Sequence, residues 1–255
     1  MNNNRHPRHP KGALTAFGAL GTHLRAPWVT AWWSAALPGF GHMFVSSHLK
    51  GFILIAWEFL VNTQAHINMA IVLSFTGRFQ DAEAVVDHRW LLLYAAVYVY
   101  AIWDSYSETI EQNKYYVLAE REDYPITPVK ISALEFGYGK KRVPLLAIIW
   151  SLLTPGLGHL YSKKILEGFF IMACFIAVAY LAHFCEAIEA SFLGEFNRAK
   201  LLVNYDWLLF IPSLYGYSAY ASYVGVVELN KFYDAEQARF LRQEYMMKSK
   251  FIMPI

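Results

Sequence analysis

Long apolar segments separated by short polar stretches set the pattern of this chain. Residues 51–75 and 168–193 are predominantly apolar, and two further apolar segments run through 90–103 and 207–227. About 20 apolar residues let a helix cross the hydrocarbon core of a bilayer, and lipid requires backbone groups to pair within their own segment. The pattern therefore predicts four membrane-spanning helices.

Three of the apolar segments are shorter than a full crossing. The segment at 90–103 reaches the required length with either 85–89 or 105–110, and the pattern leaves both completions open. Residues 28–37 and 143–153 stop at a Pro-Gly turn after ten or eleven positions. We expect these two segments to be re-entrant or to lie at the membrane interface.

The chain also contains an internal duplication. A shift of 117 residues aligns 33–116 with 150–233 without a gap, and 32 of the 84 aligned pairs are identical. The identities include Pro, Gly, His, Trp and Asn, which chance similarity between apolar segments does not match at one fixed offset. The predicted fold class is an all-α integral membrane protein with a tandem repeat, four spanning helices and two short segments.

The domain organisation follows from this alignment. We expect two membrane repeats that pack around a pseudo-twofold axis along the membrane normal. The predicted boundaries are a disordered N-terminal tail at 1–25, membrane repeat 1 at 26–117, a cytoplasmic connector at 118–142, membrane repeat 2 at 143–233 and an amphipathic C-terminal tail at 234–255.

Composition supports a lipid environment. Hydrophobic residues make up 56% of the chain and charged residues 16%, against about 25% charged residues in soluble domains. The net charge of +2 is too small to indicate a nucleic-acid partner. The bilayer itself is the first expected partner, with another membrane or cytoplasmic protein as the second.

Basic residues set the expected orientation. They cluster before the first repeat, in the connector and after the second repeat, whereas the loops inside each repeat are poorer in them. Cytoplasmic loops carry the excess of Lys and Arg, so two crossings per repeat place both termini in the cytoplasm. We expect a multi-pass protein of the cell membrane.

A Pro-Gly-x-Gly-His turn is the strongest local motif, and it occurs in both repeats. Proline ends a helix and glycine permits positive φ and close helix approach, so the motif predicts a tight corner. Its residues are Pro38, Gly39, Gly41, His42, Pro155, Gly156, Gly158 and His159.

Together with Asp104 in Tyr100-Ala-Ile-Trp-Asp, this turn resembles the family of small two-transmembrane-helix domain proteins, here in tandem. Ala221 replaces the acid in the second repeat. The resemblance implies a short segment that leads through the turn into two spanning helices, and it assigns no catalytic residue.

Polar groups inside apolar segments are the candidate chemistry, because they are costly in lipid and face a bundle interior or a cavity. Helix–helix hydrogen bonding explains them most simply, and a small transporter or channel subunit is the alternative. The candidate intramembrane polar site consists of Glu58, Asn62, His66, His183 and Asp104.

Histidines that recur in both repeats suggest a third possibility, a haem- or metal-binding redox protein, because neutral imidazole is a common ligand. The candidate ligands are His42, His159, His66 and His183. No catalytic triad, nucleotide loop or zinc spacing is present in the sequence. We therefore expect no cofactor and no enzymatic activity, and the leading hypothesis is a structural or partner-binding membrane component.

Overall fold

The computed structural model describes residues 24–121 and 141–241, together with the backbone of β1 (Gly12–Thr15) and β2 (Gly18–Gly21). The predicted connector lies mostly outside the described residues, as does the predicted C-terminal tail beyond Leu241. β1 and β2 pair as an antiparallel hairpin. This pairing differs from the disordered tail predicted for 1–25.

The prediction of an all-helical fold is confirmed for residues 24–121 and 141–241. The first half comprises α1 (Pro27–Ala36), α2 (Phe40–Phe44), α3 (His48–Ala65), α4 (Ile67–Phe75), α5 (Phe79–Val85) and α6 (His88–Arg121). The second half comprises α7 (Pro144–Leu153), α8 (Leu157–Tyr161), α9 (Ile165–Leu181), α10 (Phe184–Phe192), α11 (Phe196–Leu202), α12 (Tyr205–Leu208) and α13 (Phe210–Leu241).

Helices of the second half begin 117 residues after their counterparts in the first half. The counterpart of α6 also begins at this offset but is divided into α12 and α13. Pro212 explains the division, because proline has no N–H to donate to the carbonyl of Leu208. The aligned position in α6 is Ala95, which donates normally and lets the helix continue.

The two long apolar segments are not single helices, which corrects the expectation of unbroken spans at 51–75 and 168–193. His66 separates α3 from α4 and His183 separates α9 from α10, each in the left-handed region with φ of 53°. The groups freed by the first break are paired elsewhere: Asp87 N–H donates to Ala65 O at 3.3 Å, and Met69 N–H donates to Asp206 Oδ1 at 3.2 Å.

These breaks determine how the described helices compare with the dimensions of a membrane. No single described helix is both long enough and apolar enough to cross. Two bent pairs meet the requirement by length and composition: α5 with α6, bent by 89°, and α9 with α10, bent by 62°.

The two halves run in the same direction. Arg25 near the start of the first half forms an ion pair with Glu228 in the C-terminal half of α13. Asn113 and Asn230 bond the backbone of Arg25 and Arg142, which puts the start of each half beside the C-terminal half of its own long helix. The starts of both halves therefore lie at the same level of the molecule, so the two halves run in the same direction.

The halves nevertheless do not meet across a twofold axis. Trp33 of α1 packs on Tyr217 of α13, with ring centroids 5.5 Å apart. A twofold axis would pair Trp150 with Tyr100 in the same way, but these side chains are 42% and 47% exposed. The twofold arrangement predicted from the sequence is wrong, and the halves instead pack side by side through two different faces.

Candidate functional site

The Pro-Gly-x-Gly-His turns form the corner that places both buried histidines. Gly39 and Gly156 each have φ of 103°. A Cβ on Gly39 would lie 2.5 Å from Gly51 O, and one on Gly156 would lie 2.5 Å from Gly168 O. Only glycine therefore permits the first turn of α3 or α9 to lie directly against the corner.

In the first half, the corner histidine lies within a cluster of charged groups. The His42 side chain is fully buried, and its Nε2 donates to Asp104 Oδ2 at 2.9 Å. Lys50 Nζ donates to the same oxygen at 3.0 Å and lies 3.8 Å from Glu108 Oε2. The cluster combines one imidazole, two carboxylates and one ammonium group.

The second half builds a similar cluster from different positions. His159 Nε2 lies 3.8 Å from Glu167 Oε2, and Lys164 Nζ donates to that oxygen at 3.3 Å. Glu167 aligns with Lys50, and Ala221 aligns with Asp104. The acid beside the histidine has therefore moved from the long helix to the first turn of α9, where one carboxylate faces one ammonium group.

Burial governs the protonation of this second cluster. It lowers the pKa of His159 to about 4, against the opposing effect of the Glu167 carboxylate. His48 Nδ1 from the first half lies 3.6 Å from Glu167 Oε1, and burial lowers the pKa of His48 also. Neutral imidazoles therefore surround a carboxylate whose cationic partner is Lys164.

Among the described residues, one group has the geometry to share a metal ion. Ligand atoms of His42, Asp104 and Glu108 lie within 4.8 Å of one another. The ammonium of Lys50 lies close to both carboxylates and supplies one positive charge to the two negative groups.

The four candidate histidine ligands lie beside acidic side chains. Each one is associated with a separate acid. His66 Nδ1 bonds Asp206 Oδ2 at 2.9 Å, and His183 bonds Glu186 in the first turn of α10. His42 and His159 occupy the separate clusters described above.

The candidate intramembrane polar site is likewise divided. Glu58 and Asn62 are buried together on α3, where Asn62 Nδ2 donates to Glu58 Oε1 at 2.8 Å. Tyr94 O–H donates to the same oxygen at 3.4 Å, and Asn68 N–H donates to Asn62 Oδ1 at 3.3 Å. His66 reaches this group through Asp206, since its Nδ1 bonds the Asp206 carboxylate and Asn68 Nδ2 donates to Asp206 O at 2.8 Å. His183 and Asp104 belong to other groups.

Sequence reasoning missed several members of these networks. Lys50 and Glu167 carry opposite charges at aligned positions, and this reversal was the available signal. Asn113 is identical to Asn230, and its side chain accepts from Arg25 N–H at 2.9 Å and donates to Arg25 O at 2.8 Å. The same residue at both aligned positions was a signal that Asn113 matters, but the sequence did not predict that its partner is the backbone of Arg25.

The polar groups described above bond to one another, some of them in the interior and others at the surface, and make no open catalytic constellation among the described residues. A surface hollow of about 480 Å³ is lined mainly by apolar side chains of α4, α5 and α6. No protein-family model, curated protein or solved structure matches this chain. Its function must be argued from its own residues.

Proposed function

We propose that the protein is a multi-pass membrane protein that serves as a structural, partner-binding component of the membrane. Both halves cross the bilayer twice, and both termini and the connector lie in the cytoplasm. The short helices α1 and α7 enter the bilayer from that side or lie at its interface.

The distribution of polarity carries this proposal. Large apolar side chains are exposed along the helices, and Phe75 and Phe192 are 89% and 88% exposed. The polar side chains of Glu58 and Asn62 are instead buried. Soluble monomers rarely expose large contiguous apolar surface, whereas lipid accepts apolar groups outside and requires polar groups to pair inside.

The bent helices are compatible with crossing. Backbone groups released by a helix break at membrane depth must find partners within the protein. Met69 N–H finds Asp206, and Ala65 O and Ala182 O accept from Asp87 N–H and Asn204 N–H respectively. The breaks thus meet the hydrogen-bonding requirement of a lipid environment.

A structural role is favoured over transport because the polar groups link helices. Glu58 joins α3 to α6 through Tyr94, and Asn68 joins α4 to α12 by donating to Asp206 O at 2.8 Å. A transport path would need polar lining in both halves, but Phe175 stands at the position of Glu58.

Fractionation of cells that express the full chain tests the proposal. Membranes are washed with alkaline carbonate, which removes peripheral proteins, and are then extracted with a mild detergent. We expect the protein to resist carbonate and to enter the detergent extract. Recovery in the aqueous fraction without detergent would contradict the proposal.

A further inference from the structure

The contact between the two halves uses one face of each half, and these faces differ. The first half contributes α1, α2, α4 and one side of α3, including Trp33 and Phe52. The second half contributes α12, α13 and a different side of α9, including Tyr217 and Phe170. Phe52 and Phe170 stack with ring centroids 3.9 Å apart, and Trp33 packs on Tyr217.

The repeat supplies each half with both faces, so one of each is left without a protein partner in the described chain. We call them the Trp150 face and the Tyr100 face. The Trp150 face comprises Arg142, Trp150, Leu157, Phe169 and Ile176, which align with contact residues of the first half. The Tyr100 face comprises Ile53, Leu93, Tyr100, Trp103 and Glu111, which align with contact residues of the second half.

Exposure shows that these faces are uncovered counterparts of a buried interface. Tyr217 is fully buried, whereas its counterpart Tyr100 is 47% exposed. Phe169 and Ile53, the counterparts of the stacked pair, are 59% and 60% exposed. Side chains that align with those buried in the contact between the halves are therefore exposed on the Trp150 face and on the Tyr100 face.

Charge is complementary as well. Arg25 Nη2 lies 2.9 Å from Glu228 Oε1 across the internal contact. The counterparts are again an arginine and a glutamate, Arg142 and Glu111. The guanidinium of Arg142 lies over an aromatic ring at 5.1 Å, as that of Arg25 does at 5.0 Å, so it has the same placement toward a carboxylate on a neighbour.

The opposite end of the contact keeps its complementarity through different residues. Inside the chain, Asp206 accepts from His66 and from Met69 N–H. On the outer faces, Arg89 stands at the position of Asp206, and Glu186 stands at the position of Met69. Docking of the two outer faces would therefore bring Arg89 toward Glu186, which already bonds His183, so an acidic and a basic residue again meet at this end of the contact.

We propose that a second copy of this chain docks its Trp150 face on the Tyr100 face of the first, in the arrangement that joins the halves inside each chain. The proposal rests on the proposed function, whose partner it names. In a row of such copies, the first and last copies each keep one face uncovered. Every Trp150 face and every Tyr100 face is covered only when the copies close into a ring. Arg142 of each copy then pairs with Glu111 of its neighbour.

Cross-linking between two differently tagged copies in their membrane tests the contact. Both copies carry Cys174→Ala and Cys185→Ala; one adds Phe169→Cys and the other Ile53→Cys. A short thiol cross-linker should join the two tags. Leu166→Cys replaces Phe169→Cys in the matched control, because Leu166 and its counterpart Leu49 are both exposed and so lie outside the contact. The control should not join.

A positive control within one chain uses Phe52→Cys with Phe170→Cys and a protease site in the connector. Cross-linking must keep the two fragments together. If this control succeeds in carbonate-resistant membranes but Phe169→Cys and Ile53→Cys stay unlinked, lipid or another protein covers these faces and the proposal is overturned. Loss of carbonate resistance would instead reject the membrane function itself.

Charge reversal provides a second readout. Arg142→Glu or Glu111→Arg alone should lower the cross-linked fraction about tenfold at limiting expression, the effect of losing one partly buried ion pair. The double reversal, with both substitutions in every copy, should restore it. A double variant as weak as either single variant would contradict the assigned pairing.

Discussion

A single methyl group added at the corner turn should destabilise the protein much more than the same group added at another left-handed glycine. Gly39→Ala places a Cβ 2.5 Å from Gly51 O and 2.8 Å from Ile55 Cγ1, at φ of 103°. Gly77 also has positive φ, of 78°, but nothing lies within 4 Å of its Cβ position. The two substitutions share the backbone cost and differ in the clash.

The magnitude follows from these two costs. A left-handed conformation costs a non-glycine residue about 1–2 kcal/mol, which Gly77→Ala bears alone. Overpacking a closed site adds about 1–3 kcal/mol, and the carbonyl of Gly51 belongs to the first turn of α3 and cannot rotate away. We therefore expect Gly39→Ala to cost about 2 kcal/mol more than Gly77→Ala, or about 4–8 °C in the midpoint of unfolding.

Thermal unfolding of the purified protein in mild detergent, followed by tryptophan fluorescence, measures this difference. Gly156→Ala and Gly194→Ala repeat the comparison in the second half, where φ is again 103° and 78°. Equal midpoints for Gly39→Ala and Gly77→Ala would refute the argument that the corner is a site of close backbone contact.

Three further predictions concern the polar networks. Burial lowers the pKa of His159 from 6.5 to about 4, so the folded protein loses up to about 3 kcal/mol of stability as the pH falls from 6.5 toward 4. The midpoint of thermal unfolding should therefore fall less over this pH range in His159→Gln than in the unchanged protein. Equal dependence of the two midpoints on pH would contradict the assignment. Asn113→Ala leaves the backbone N–H and C=O of Arg25 without their side-chain partner and should cost about 1–3 kcal/mol in chemical denaturation, whereas an unchanged midpoint would show that the bridge contributes nothing. Glu58→Gln should keep the yield of folded protein because its amide oxygen still accepts from Asn62, while Glu58→Leu should lower it; equal losses would show that the carboxylate charge itself is required.

The sequence predicted the elements of the fold better than their continuity. Alignment at an offset of 117 residues and the Pro-Gly turns predicted which segments recur and where α1 and α7 end. The breaks at His66 and His183 were not predictable, because a left-handed histidine has no local sequence signal comparable to glycine. Their stability comes from tertiary partners such as Asp206.

The arrangement of the halves was the larger error. Identity between repeats shows that each half has the same faces, but it does not show which face meets which. Trp33 and Trp150 occupy aligned positions in the two repeats, but Tyr217 covers only Trp33. The predicted polar site was brought together only in part. Glu58, Asn62 and His66 are linked through Asn68 and Asp206, whereas His183 and Asp104 bond other partners.

The most direct test of the account is the sidedness of three single cysteines in intact cells. Each is placed alone in a Cys174→Ala, Cys185→Ala background, at Gln80 in α5, at Asn197 in α11 or at Thr127 in the connector. If both halves cross the membrane twice in the same sense, an impermeant thiol reagent should label Gln80→Cys and Asn197→Cys from outside and should reach Thr127→Cys only after permeabilisation. External labelling of Thr127→Cys, or opposite behaviour of Gln80→Cys and Asn197→Cys, would contradict the account.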